Sequence, residues 1–98
     1  MPEYRLSDRA ISQLDEIFDS SIERFGRYQT EAYWAGLTRT FDLLAEFPRM
    51  GRAADDVIAG LRRFRFQSHH IFYTIAQEHI TIRSVLHVRQ SVRPDLIE

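Results

Sequence analysis

The stretch RRFRFQSHHIFYTI, residues 62–75, sets Arg63 and Arg65 a few residues from His69 and His70, and IRSVLH adds Arg83 and His87. Guanidinium groups recognise carboxylate or phosphate through planar, bidentate hydrogen bonds. All thirteen basic residues of the chain are arginine and none is lysine, a skew that suits this recognition and that GC-rich codon usage would also produce. Other chemistries are poorly served. His69 and His70 are adjacent, so in a strand they face opposite sides and cannot hold one metal together. No glycine-rich phosphate loop occurs, and Ser84 falls on the face opposite His87, which removes a nucleophile pair.

The elements that position these residues follow from periodicity. YRL is short, alternating and rich in β-formers, and predicts a strand at about 3–6. Ser7 reads as a helix N-cap, with Leu6 and Ile11 placed to form a hydrophobic staple. Ile11, Leu14, Ile17, Phe18, Ile22 and Phe25 recur at helical spacing, which predicts a helix over about 8–25 closed by Gly26. Tyr33, Leu37, Phe41 and Leu44 predict a second helix over about 28–47 that Pro48 stops, antiparallel to the first. Trp34 lies on its polar flank, either as a partly covered surface aromatic or as a binding anchor. PRMGRAADDVIAG has loop composition, after which the pattern changes to period two and predicts strands at about 61–66, 69–76 and 79–88.

A tight turn at Gln67 and Ser68 sets Phe66 against His69, Arg65 against His70, Phe64 against Ile71 and Arg63 against Phe72. A second turn at Gln77 and Glu78 sets Ile75 against Ile80, Tyr73 against Ile82 and Phe72 against Arg83. Opposed residues share a face. One face is then apolar, with Phe64, Phe66, Ile71, Tyr73, Ile75, Ile80 and Ile82, and packs on the helices. The other collects Arg63, Arg65, His70, Phe72, Thr74, Arg83, Val85 and His87. An open face can be an ordinary wet sheet surface. Here Phe72 and Val85 sit among cations, and Glu78, in a turn, is the one carboxylate between Asp56 and Asp95. That mixture fits a partner better than water. The expected fold class is α+β: an N-terminal strand, then an antiparallel two-helix hairpin packed on one face of an antiparallel β-sheet.

Composition bounds the rest. With 98 residues, 44% hydrophobic and 28% charged, the chain matches one globular domain, residues 1–98. Cysteine is absent, which removes disulfides and thiolate metal sites. No apolar run reaches the ~20 residues of a membrane span, and MPEYRLSDRA lacks a signal-peptide core, so a soluble protein that stays in the cytoplasm is expected. The net charge of −1 hides a split: residues 1–56 carry seven arginines against eleven acids, and residues 57–98 carry six against three.

YRLSDRAISQLDEIFD at the start, EFPRMGR before the loop, GLRRF and SHHIFY across the first sheet hairpin, and IRSVLHVRQ in the last strand share an order and spacing. Together they resemble the ParE toxins of the RelE/ParE superfamily, over essentially the whole chain. The resemblance implies the toxin of a bacterial type II toxin–antitoxin system, with a ParD-like ribbon-helix-helix antitoxin as partner and DNA gyrase as target. Operator DNA contact is expected only indirectly through the antitoxin, and no membrane, catalytic residue, metal or cofactor is expected. Arg63, Arg65, His70, Phe72, Arg83, Val85 and His87 are then candidates for binding antitoxin or target. RelE-type members of the superfamily instead cut ribosome-bound mRNA. Their sites lean on lysines, absent here, or on a glutamate, absent from Leu61 to Phe66. Arg65, Arg83 and His87 could mimic part of such a site, so an mRNA interferase stays as the alternative, with a chain that retains only antitoxin binding as a third.

Overall fold

The computed structural model describes residues 2–98. The first strand, β1 (Glu3–Leu6), stops at Ser7, which has extended backbone and begins the long helical element α1 (Asp8–Glu46). Ser7 Oγ accepts the Ala10 N–H at 3.1 Å, the N-cap expected of this residue. Ser7 also ties the first turn to the last strand: its N–H donates to Ile82 O at 3.0 Å and its hydroxyl to Arg83 O at 2.9 Å. So close an approach favours a small residue, and Ala10 is fully buried there. The expected staple is therefore replaced, since Ile11 is rotated outward and 44% exposed.

Two helices separated by a connection are expected, but the structure holds one helical element whose geometry breaks at Gly26, with φ 82° and ψ 170°. Straight, 39 residues would span about 58 Å, yet the longest dimension of the molecule is 37 Å. Phe18 and Trp34, from the two arms, meet edge to face with ring centroids 5.5 Å apart. The chain thus reverses at one residue, and Phe25 and Tyr28 stand exposed beside it instead of extending the apolar stripe. The second arm buries Leu37, Phe41, Leu44 and Ala45 against the sheet.

The sheet has five strands in the order β1-β5-β4-β3-β2, with β2 (Arg52–Ala53), β3 (Leu61–Phe66), β4 (His69–Ile75) and β5 (His79–His87). β1 pairs in parallel with β5, so the sheet is mixed and not antiparallel throughout. A parallel neighbour needs a long crossover, and α1 with the hairpins after it supplies one. The β3–β4 register is the predicted one, from Leu61 opposite Thr74 to Phe66 opposite His69. The β4–β5 register agrees from Ile75–Ile80 to Tyr73–Ile82, then shifts: Phe72 faces Ser84, Ile71 faces Val85, His70 faces Leu86 and His69 faces His87. Arg83 is the extra residue of a β-bulge.

The shift moves Val85 onto the helix-facing side, where it joins Ile71, Tyr73, Ile80 and Ile82 in the main core. Phe64 and Phe66 pack on its margin, and Ile75 remains 41% exposed. The opposite face is not simply open. Phe72, Leu86, Leu61, Ala54 and Ile97 form a second core, roofed by Val57, Ile58, Val92 and Leu96. Part of the predicted loop is therefore strand β2 and part is roof. The C-terminal segment, with a 3-10 turn at Pro94–Leu96, completes that roof.

β5 extends past the end of β1, and a helix side chain serves its exposed backbone. Gln13 Oε1 accepts the Val85 N–H at 2.8 Å and lies 3.0 Å from the Ser84 hydroxyl, while its Nε2 lies 3.4 Å from Leu96 O.

Two measurements test this account. Nothing lies within 4 Å of a Cβ built on Gly26, but its backbone angles belong to glycine alone. Gly26→Ala should cost ~1–3 kcal/mol in denaturant unfolding, and an unchanged midpoint would refute a strained reversal. Gln13→Ala should cost ~1–3 kcal/mol, because it strands a strand N–H. Stability equal to wild type would show that water serves the bulge as well.

Candidate functional site

On the face away from α1, beside the second core, the sheet leaves a basic hollow. Arg63 and Arg65 lie two residues apart on β3, so they share this face; Arg52 of β2 stands opposite Arg63, and His70 of β4 stands opposite Arg65. With Met50 and Phe64 they line a cavity of about 390 Å³. The strand alternation anticipated three of these residues. Arg52 was hidden because a two-residue strand carries no periodicity, and the only hint was its place beside Gly51 in a stretch of loop composition.

Arg63, Arg65 and His70 each have a defined contact. The Arg63 guanidinium lies over the Phe72 ring, 5.6 Å from its centroid, a cation–π contact. Arg65 Nε donates to Gln67 O at 2.8 Å within the hairpin turn. His70 packs beside Phe72, and its Nδ1 is shielded from solvent without a hydrogen-bond partner. Burial pushes the His70 pKa down, and Arg63, Arg65 and Arg52 push it further in the same direction. Among the described residues the ion pairs are Arg5–Glu3, Arg27–Glu31 and Arg93–Asp95, and none reaches the hollow. The arrangement can hold an oxyanion and offers no carboxylate to act as a base.

The other expected residues lie elsewhere. Phe72 is fully buried and Val85 only 2% exposed, so neither belongs to an open surface. Phe72 supports Arg63 from below, and its loss would cost ~3–5 kcal/mol as a core truncation. Arg83 occupies the bulge with Ser84 in its expected place opposite Phe72, so the three-member stack of Arg63, Phe72 and Arg83 is not formed. His87 stands opposite His69 and therefore shares the helix-facing side, away from Arg65. The bulge is the common cause, because one extra residue reverses the parity of everything after it.

His69 and His87 form a separate cluster with Tyr33 of α1. The imidazole rings meet edge to face at 5.3 Å, and Tyr33 Oη lies 2.7 Å from His69 Nδ1. Tyr33 Oη also accepts the Ser68 N–H at 3.2 Å and lies 3.2 Å from Phe66 O, fastening the β3–β4 turn to the helix. The His69 pKa falls to about 4, through burial first and then the neighbouring His87 and His70. His69 and His70 thus point to opposite faces, one to Tyr33 and the other to the arginines.

A family model described as "ParE toxin of type II toxin-antitoxin system, parDE" matches residues 4–92. The chain belongs to this family. Toxin ParE1 of Mycobacterium tuberculosis (strain H37Rv) is 38% identical to it over 94 residues, covering 95% of this chain and 96% of that protein. Toxin ParE1 of Caulobacter vibrioides is 38% identical over 96 residues, covering 98% of this chain and 99% of that protein. A chain of the structure titled "Chromosomal ParDE TA system from P. aeruginosa" aligns at TM-score 0.77, over 91% of this chain and 98% of that one. At 15% identity, that structure speaks for a shared fold alone.

The His69 site yields a pH prediction for this ParE-family chain. A histidine whose pKa is lower folded than unfolded favours the folded state fully above the unfolded value near 6.5. That stabilisation drains away as pH falls towards 4, because the unfolded chain takes up the proton first. His69→Gln keeps a polar partner for Tyr33 but does not titrate. Melting temperature should fall between pH 6.5 and 4 more steeply in wild type than in His69→Gln, and parallel curves would rule the histidine out.

Proposed function

We propose that residues 1–98 act as one toxin domain that inhibits DNA gyrase by binding, without a covalent step, and that a ParD-like ribbon-helix-helix antitoxin neutralises it in the cytoplasm. The ParE family match over residues 4–92 carries this reading. The geometry supports it against mRNA cleavage. Arg65 and His87 occupy opposite faces of the sheet, so these two do not converge on one scissile phosphate. Phosphoryl transfer from a 2′-hydroxyl needs a base and an acid held near the same reacting atoms. His70 does share a face with Arg65, but its lowered pKa disfavours the protonated form a general acid requires.

Arg63, Arg65 and His70 are the accessible candidate binding residues on the far face of the sheet, with Arg83 at the bulge and His87 half-buried on the helix-facing side. An antitoxin segment with apolar anchors and acidic groups would complement them. Such binding weakens with salt, modestly where apolar anchors dominate.

Purified protein should block supercoiling by gyrase and leave mRNA on translating ribosomes intact. Codon-specific mRNA cleavage with normal supercoiling would overturn the assignment. Inertness in both assays with retained antitoxin binding would place the chain among proteins that keep only the antitoxin contact. Arg65→Ala should weaken antitoxin binding by ~1–3 kcal/mol, as for a charged hydrogen bond, in calorimetry of the complex.

A further inference from the structure

We propose that the hollow formed by Met50, Arg52, Arg63, Arg65 and His70 is a binding pocket for a phosphomonoester, with the phosphate among the three guanidinium groups and its organic moiety against Met50. The assignment goes beyond gyrase inhibition and rests on the pocket alone. Three features of the hollow carry it.

The first is the placement of charge. Arg52 and Arg63 are directly opposed across β2 and β3, and like charges so placed destabilise a strand pair. Arg65 adds a third cation on the same face two residues along. No carboxylate among the described residues pairs with any of them. A bound dianion would relieve this repulsion.

The second is preorganisation. The Phe72 ring holds Arg63 by its face, which leaves the N–H edge of the guanidinium free. Arg65 has committed Nε to Gln67 O, which fixes the stem and leaves its terminal amino groups for a ligand. The ordering cost of two long side chains is thus partly met before binding.

The third is stoichiometry and size. A phosphomonoester presents three strong acceptor oxygens and about −1.5 to −2 charges at neutral pH. Three guanidinium forks match that count, whereas a carboxylate side chain offers two oxygens and one charge. The hollow, about 390 Å³ and open to solvent, leaves room beyond the phosphate. Met50, 41% exposed, is the apolar wall for what the phosphate carries. The suppressed charging of His70 agrees with a field already strongly positive.

The test uses the full chain and four probes in calorimetry with parallel amide NMR: a nucleoside 5′-monophosphate, its unphosphorylated nucleoside, a short 5′-phosphorylated single strand and a glutamate-rich peptide. The monophosphate should bind one to one, with resonance shifts at Arg63, Arg65 and His70, and the nucleoside should not. Arg52→Ala and Arg65→Ala should each weaken it at least tenfold while melting at or above the wild-type temperature, because each removes a repulsive neighbour. Arg65→Lys should recover part of the loss, which a structural role for Arg65 would not predict. Tighter binding of the phosphorylated strand than of the monophosphate would identify a nucleic-acid end as the source of the phosphate, and the reverse would identify a free nucleotide. Absence of monophosphate binding, affinity indifferent to both alanine changes, or occupation by the glutamate peptide alone would each overturn the proposal. Loss of gyrase inhibition, or its persistence, in these variants bears on the toxin reading and leaves the pocket assignment to the binding data.

Discussion

The β-bulge at Arg83 decides which residues of β5 face α1 and which face the C-terminal segment. Before it, Ile80 and Ile82 enter the main core; after it, Val85 does, and Leu86 turns to the second core. A regular strand would have sent Val85 to the far face and Leu86 against the helix. The bulge disrupts the local ladder and exposes backbone groups, and the chain answers with fixed partners. Arg83 O receives the Ser7 hydroxyl, Val85 N–H reaches Gln13, and His87 N–H reaches Gln90 Oε1 at 2.8 Å. The helix start is therefore tied to the bulge, so the N-cap and the sheet parity depend on one set of bonds.

This explains where the sequence was legible. The β3–β4 register could be read because Gln67 and Ser68 make a two-residue turn, with Gln67 at φ 48°, and alternation then runs unbroken from Phe66 to Leu61. The same reasoning held for Ile75, Tyr73, Ile80 and Ile82, on the near side of the bulge. It failed for Val85 and His87 because a strand pattern contains no mark of an inserted residue when both faces are apolar. Val85 and Leu86 are adjacent and both buried, so the alternation that betrays a one-sided strand is missing. Ala54 and Ile97, both about 1% exposed, were equally unreadable, since their cover comes from irregular segments. Gly26 was read correctly as a break, but composition could not tell a single-residue reversal from a short connection.

Electrostatics divides the molecule along the same line as the two cores. The helical arms carry most of the acidic residues, while Arg52, Arg63 and Arg65 gather on the far face of the sheet without carboxylate partners. Separation by the sheet keeps the two populations from pairing. Pairs at the exposed surface would contribute only ~0–1 kcal/mol each, so their absence costs the fold little. The accumulated potential, in contrast, attracts anions over a distance that salt limits to about 8–10 Å.

The arginines repel one another, so something other than charge must hold them together, and that support comes from Tyr73. Its hydroxyl donates to Pro48 O at 2.7 Å and accepts the Gly51 N–H at 3.0 Å. Arg62, on the helix-facing side, adds bonds to the carbonyls of Arg49 and Gly51. The segment carrying Met50 and Arg52 is thereby pinned to a fully buried ring in the main core, through contacts that do not involve the basic face. Gly51 is the residue that permits this closeness, because a Cβ there would collide with the Tyr73 hydroxyl and come within 2.8 Å of Arg63 O. The main core on one side of the sheet thus fixes the geometry of the charged hollow on the other, and holds Arg52 opposite Arg63 with no carboxylate between them.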